Sequence, residues 1–226
     1  MRILRTIIIS IILTICTTEV IKAQQIVIDT VTIDAPIKKK ELLIGVKYGY
    51  AITNLYSTPY LDPKYSTSPI NLSVLVTYFT PLWGFMDYFG IQSGVRYTNY
   101  GYSINKEGYE YLGQNLTNIE VPLISTFKYD IKKHFRVMLN LGPFAGYRLK
   151  TSKPGGFDCF DRRWDYGLEG GGGFAIRFNP VEIHIDCMYQ YHFSWLYHPE
   201  IISSDVWLYT YPNNLSFNIG LHFKIK

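Results

Sequence analysis

Apolar and polar residues alternate one by one through eight separate stretches of this 226-residue chain, and the last stretch is the most regular. Leu215, Phe217, Ile219, Leu221, Phe223 and Ile225 hold its odd positions; Ser216, Asn218, Gly220, His222 and Lys224 hold the even ones. Side chains of a strand point alternately to its two faces, so this spacing predicts a strand with one greasy face and one polar face. The same period recurs over residues 42–51, 70–79, 89–100, 119–129, 135–149, 164–178 and 181–192. Each stretch is long enough to cross a bilayer when tilted, and eight is an even number, as bacterial membrane barrels require.

The connections give an independent test. They run long (52–69), shorter (80–88), long (101–118), short (130–134), long (150–163), very short (179–180) and long (193–214). Outer-membrane barrels have short periplasmic turns and longer extracellular loops, so a chain entering from the periplasm shows this order. The aromatics on the greasy faces fall into two groups. Tyr78, Phe89, Phe127, Tyr129, Phe135, Phe178 and Phe223 lie beside the short turns; Tyr48, Tyr50, Tyr97, Tyr147, Tyr166, Tyr189, Tyr191 and Phe217 lie beside the long loops. Aliphatic residues fill the band between them, the pattern that two membrane interfaces select. The fold expected is all-β: an eight-stranded antiparallel up-and-down transmembrane β-barrel of the outer-membrane type, over residues 42–226. The competing soluble fold, a lipocalin-like carrier, would turn the greasy stripes inward around a ligand cavity.

Residues 1–23 differ from all that follows. Arg2 and Arg5 precede the apolar run 7–16, and Ile21-Lys22-Ala23 ends it, as in a secretory signal peptide cut after a small residue. Cys16 follows Leu13-Thr14-Ile15, without the small residue that a lipoprotein signal places before its cysteine. Residues 24–41 read as a flexible periplasmic lead-in. Cleavage after Ala23 leaves nineteen basic and seventeen acidic residues, a net charge of +2, which gives no case for nucleic acid as a partner. Of the three cysteines, only Cys159 and Cys187 remain, one in a loop and one on a strand face, so no disulfide scaffold is expected.

Ile119-Glu120-Val121-Pro122-Leu123 with Phe127-Lys128-Tyr129, then Asn140-Leu141-Gly142-Pro143-Phe144-Ala145-Gly146-Tyr147, then the glycine-rich strand 167–174, resemble the PorT-like outer-membrane β-barrel family of Gram-negative bacteria. The resemblance covers roughly residues 42–226. It implies an outer-membrane barrel and, through the family's namesake, a link to protein secretion; it fixes no partner for the 193–214 loop or the charged 158–163 stretch.

The polar faces carry the candidate chemistry. Lys47, Arg96, Lys128, Arg136, Arg148 and Arg177 face inward with Glu120, Asp165, Glu169, Glu182 and Asp186, a near-neutral set. An eight-stranded barrel is just wide enough for its own side chains, so these charges are expected to pair across the lumen as a structural network. A narrow ion-conducting path is the alternative. His184 and His222 both face inward near the short-turn end beside Glu182 and Asp186, either as members of a lumen hydrogen-bond network or as metal ligands. His192 and Ser194 share a face near the long-loop end, with His198, Glu200 and Asp205 beyond them. A hydroxyl, a base and an acid in contact would make a lipid-modifying enzyme, an acyltransferase or deacylase. The run Gly170–Gly173 lacks the Lys-Ser/Thr and the following helix of a phosphate loop, and is expected to bend the wall and admit large neighbours. Tyr56, Tyr60, Tyr65, Tyr111, Trp195, Tyr197, Trp207, Tyr209 and Tyr211 enrich the long loops, which suits either recognition or, alternatively, capping of the barrel or packing on lipopolysaccharide. No cofactor is expected. The partners expected are outer-membrane lipid and lipopolysaccharide, the barrel-assembly machinery during insertion, and a secretion or envelope complex.

Overall fold

The computed structural model describes residues 40–58, 63–64, 66–83, 86–106, 109–131, 134–199 and 207–225. The expected signal peptide and all of the lead-in before Lys40 lie outside these residues. The strands are β1 (Glu41–Thr58), β2 (Pro63–Lys64), β3 (Ser66–Phe79), β4 (Phe89–Lys106), β5 (Tyr109–Ile131), β6 (Phe135–Thr151), β7 (Trp164–Phe178), β8 (Val181–His192) and β9 (Tyr209–Lys224). All pairings are antiparallel, in the order β4-β3-β1-β9-β8-β7-β6-β5, and β4 pairs with β5 to close the ring. The two-residue β2 pairs with β4 ahead of β3, extending that side of the wall rather than adding a ninth strand to it. The result is the closed eight-stranded barrel that the eight alternating stretches predict. Closure leaves no strand edge unpaired.

The faces fall as the alternation requires. Along β1, Leu43, Gly45, Lys47 and Gly49 are buried while Ile44, Val46, Tyr48 and Tyr50 are exposed. The exposed aliphatics continue round the wall through Leu72, Val74, Val95, Val121, Leu123, Leu139, Leu141 and Ile219, with Leu139 61% exposed. Both aromatic groups also face out, from Tyr129 and Phe178 at one end to Tyr166 and Tyr189 at the other. A folded chain that shows apolar side chains to its surroundings on every strand, and buries arginine and glutamate instead, is built for hydrocarbon. The outward stripe removes the lipocalin-like alternative.

Strand lengths differ from the sequence reading at one end. β1 continues to Thr58, β9 begins at Tyr209, and β4 and β5 run to Lys106 and from Tyr109, so most of the expected 101–118 loop is a hairpin. Its rungs include Tyr102↔Gln114 and Ile104↔Leu112. The wall therefore rises past the long-loop aromatic group, where side chains no longer need to be apolar outward and the alternation that marks a strand fades. Glu41, assigned to the lead-in, is the first residue of β1 and faces inward.

Over the long-loop end, two connections are stitched together. Arg162 N–H donates to Leu196 O, His198 N–H to Phe160 O, and Leu196 N–H to Thr210 O. Leu196 and Tyr197 turn back into the mouth and pack with Leu55, Tyr100, Leu116 and Phe157. Of the two roles expected for the loop aromatics, Tyr197 takes the capping one: it is buried and its hydroxyl donates to Gln114, and burial pushes that hydroxyl's pKa above the usual phenol range.

Candidate functional site

The lumen is filled by polar side chains in three tiers. At the short-turn end Glu41 accepts from Lys128 (2.8 Å), Arg136 (2.8 Å) and Lys224 (3.0 Å). Arg136 also donates to Asp130 at 2.7 Å and to Glu182 at 3.3 Å, and Arg177 reaches the other oxygen of Asp130 at 2.9 Å. Lys128 and Arg136 lie over the ring of Phe79, at 4.3 and 5.2 Å. Lys128 and Arg177 thus belong to the mouth of the barrel rather than its depth. Sequence reasoning missed Glu41, although the inward parity of Lys47, Gly45 and Leu43 runs straight back to it.

In the middle tier Lys47 donates to Asp186 at 2.6 Å, and Asn218 to the second oxygen of Asp186 at 2.8 Å. Above them Arg96 grips Glu169 through both terminal nitrogens, at 2.7 and 3.2 Å, and meets Glu120 at 3.1 Å. Gln190 bonds Glu120 at 3.0 Å, which adds a neutral donor where one guanidinium faces two carboxylates. Buried charges are tolerable only when paired and hydrogen-bonded in this way. Between these two groups of the middle tier is a void of about 10 Å³ lined by Lys47, Ser73, Gln92, Arg96, Asp186 and Asn218 among others, room for no more than about one water.

The third tier is centred on Asp165. Its carboxylate receives Ser194 Oγ at 2.5 Å, Asn118 Nδ2 at 2.9 Å and Tyr100 Oη at 3.0 Å, with His192 Nδ1 at 2.8 Å and the Arg148 guanidinium at 3.1 Å. Arg148 in turn donates to Tyr100, to Ser194 and to the carbonyls of Arg162 and Trp195, which ties the stitched loops to the lumen. Tyr100 and Asn118 were not singled out in the sequence, since the strand reading ended at them.

This geometry decides how the expected catalytic residues stand. His192 and Ser194 are brought together with an acid, but each bonds Asp165 and neither bonds the other. The second ring nitrogen of His192 accepts from Asn214 at 3.1 Å, leaving no base facing the hydroxyl. Both residues are 0% exposed, and the arrangement is that of a buried brace rather than of a nucleophile with its base. His198 is exposed on the rim; Glu200 and Asp205 lie outside the described residues.

His184 and His222 meet as the spacing predicts, but face to face: their rings stack 3.8 Å apart at 7°. Parallel rings aim their nitrogens side by side rather than at a shared point. His184 Nε2 lies 3.1 Å from Glu182, and among the described residues no group of three or more His, Cys, Asp or Glu is placed to hold a metal ion. Cys159 and Cys187 are both free.

The family profile described as "Outer membrane protein beta-barrel domain" matches residues 23–194, about three quarters of the chain. The chain belongs to this family of small outer-membrane β-barrels, and its place is the bacterial outer membrane. Among solved structures it is similar to Neisserial surface protein A, with a TM-score of 0.50 and 12% identity over 80% of this chain and 97% of that one. It is also similar to Ail, the attachment invasion locus protein of Yersinia pestis (TM-score 0.44, 18% identity, 83% and 99% covered). A third is the N-terminal β-barrel domain of OprF from Pseudomonas aeruginosa (TM-score 0.45, 8% identity, 83% and 100% covered). No curated protein matches the chain.

Proposed function

We propose that this chain is a sealed barrel of the cell envelope that works as a structural and binding protein through its long-loop end, and that neither conducts solutes nor acts on lipid. The observation that carries the reading is the filled lumen: three tiers of paired charges, with room for no more than about one water between the Lys47–Asp186 and Arg96–Glu169 pairs. Its orientation follows from the connections, with the long loops extracellular, both termini periplasmic, and residues 1–23 serving as the export signal. The PorT-like resemblance supports an accessory role in protein export or envelope integrity, in company with lipopolysaccharide and, during insertion, the barrel-assembly machinery. The loop side chains held over the mouth by Arg148, rather than the lumen, are then the surface offered to a partner.

The test is complementation of a deletion strain, scored by secreted-protein yield and detergent resistance. Chains with the exposed stretch 152–160 replaced by a short turn, which leaves the Arg148–Asp165–Ser194 brace in place, should fold but fail to complement. A lumen variant that keeps its loops, Ser194→Ala, should complement. The reverse pattern would contradict the proposal.

A further inference from the structure

Three exposed cations at the long-loop end, Lys150, Arg162 and Arg163, have no carboxylate partner among the described residues, although nearly every other described cation of the barrel has one. The nearby acids are already engaged: Lys153 bonds Asp158 and lies 3.6 Å from Asp161, and its ammonium holds the exposed Asp158 carboxyl below the usual range. The two arginines are held instead by rings. Arg163 lies 4.6 Å over Tyr147 and 5.1 Å over Phe157, and Arg162 lies 4.7 Å over Trp195. Trp195 is itself pinned, its indole N–H donating to Tyr211 Oη at 2.5 Å and its ring edge-on to Tyr209.

Stacking fixes the plane of a guanidinium and covers its face, while its N–H groups radiate from the edge. The outer edge of such a group is a preset fork for an oxyanion, and phosphate fits it bidentately. The position names the source of the phosphate. Tyr147 pairs with Trp164 across β6 and β7, and Trp164, 69% exposed, stands with Tyr166 in the outward aromatic group at this end. Such a group sits at head-group level, so Arg163 lies where a lipid presents its phosphates.

We infer that Arg162 and Arg163 form a binding site for the phosphate groups of an outer-leaflet lipid head group. The inference rests on the membrane placement and orientation proposed above and assigns the lipopolysaccharide named there to particular residues. The wall would thereby be anchored at one level of the membrane on its β6–β7 side, directly beneath the stitched loops.

The experiment is native mass spectrometry of the folded full-length protein in detergent, offered lipid A carrying its phosphates or the same lipid after enzymatic dephosphorylation. Folding of each protein is read separately by heat-modifiable gel mobility. The wild type should retain the phosphorylated lipid about tenfold better, the scale of one lost charge-assisted hydrogen-bond pair. Arg162→Gln with Arg163→Gln should fold and lose most of that preference. Arg177→Gln, at the opposite end, should fold and keep it. Equal retention of both lipids by the folded wild type would overturn the inference, as would a preference that survives in the double variant. Displacement of the lipid by excess inorganic phosphate alone would also overturn it, in favour of a plain anion site. A wild-type chain without heat-modifiable mobility would remove the barrel reading and this inference together.

Discussion

Asp165 shows how a single side chain can organise a barrel's interior. Five groups converge on one carboxylate, and one of them, Arg148, also holds the backbone of both stitched loops. Asp165→Ala would leave the Arg148 guanidinium buried without its counter-charge, a loss of about 3–5 kcal/mol. Ser194→Ala removes one neutral donor and should cost about 1 kcal/mol. The midpoint of heat-modifiable mobility should therefore fall far more for Asp165→Ala than for Ser194→Ala; equal effects would mean that the brace is not centred on the carboxylate. The inward parity of Asp165, His192 and Ser194 could be read from the sequence. That His192 and Ser194 meet through Asp165 rather than directly could not, because it depends on the β7–β8 register that sets Gly167 opposite His192.

At the level of the strand, the four consecutive glycines Gly170–Gly173 of β7 separate two roles that look the same in sequence. Gly171 and Gly173 face the lumen, and a Cβ on Gly171 would lie 2.1 Å from Cys187 O. A Cβ on Gly172, on the outer face, would meet nothing nearer than Met138 O at 3.4 Å. Gly171→Ala should thus abolish or strongly slow assembly of the barrel, and Gly172→Ala should fold as the wild type does, read by the fraction of heat-modifiable protein in outer membranes. Equal yields would show that the wall yields where this packing says it cannot. The expectation that these glycines admit large neighbours therefore holds for the inward pair, which lies against Met188 and Asp186. All eight wall strands were legible because the lipid-facing band demands strict alternation. Their upper limits were not: above the band the outer face is free to be polar, and Tyr102 and Ile104, alternating with Gly101, Ser103 and Asn105, fall on the opposite parity from the outward Val95 and Tyr97. The inward fold of Leu196 and Tyr197 was hidden for a similar reason, since a segment that caps a mouth follows no period at all.

For the molecule as a whole, the outward faces define what surrounds the barrel and the inward faces decide what passes through it. Six inward cations and five inward acids could be counted from the sequence, and a narrow path between them was an open alternative. What supports the sealed reading proposed above is packing that no count contains: Arg96 forked onto Glu169, Lys47 locked to Asp186, and Glu41 drawn between three cations at the short-turn mouth. The most direct test of the sealed lumen is single-channel recording of the folded protein in planar bilayers at high salt. The account predicts a current that stays at the level of the bare bilayer, because a conducting path would require several buried ion pairs to part at once. Regular steps whose size scales with salt concentration, given by heat-modifiable wild-type protein and absent from the boiled sample, would contradict it.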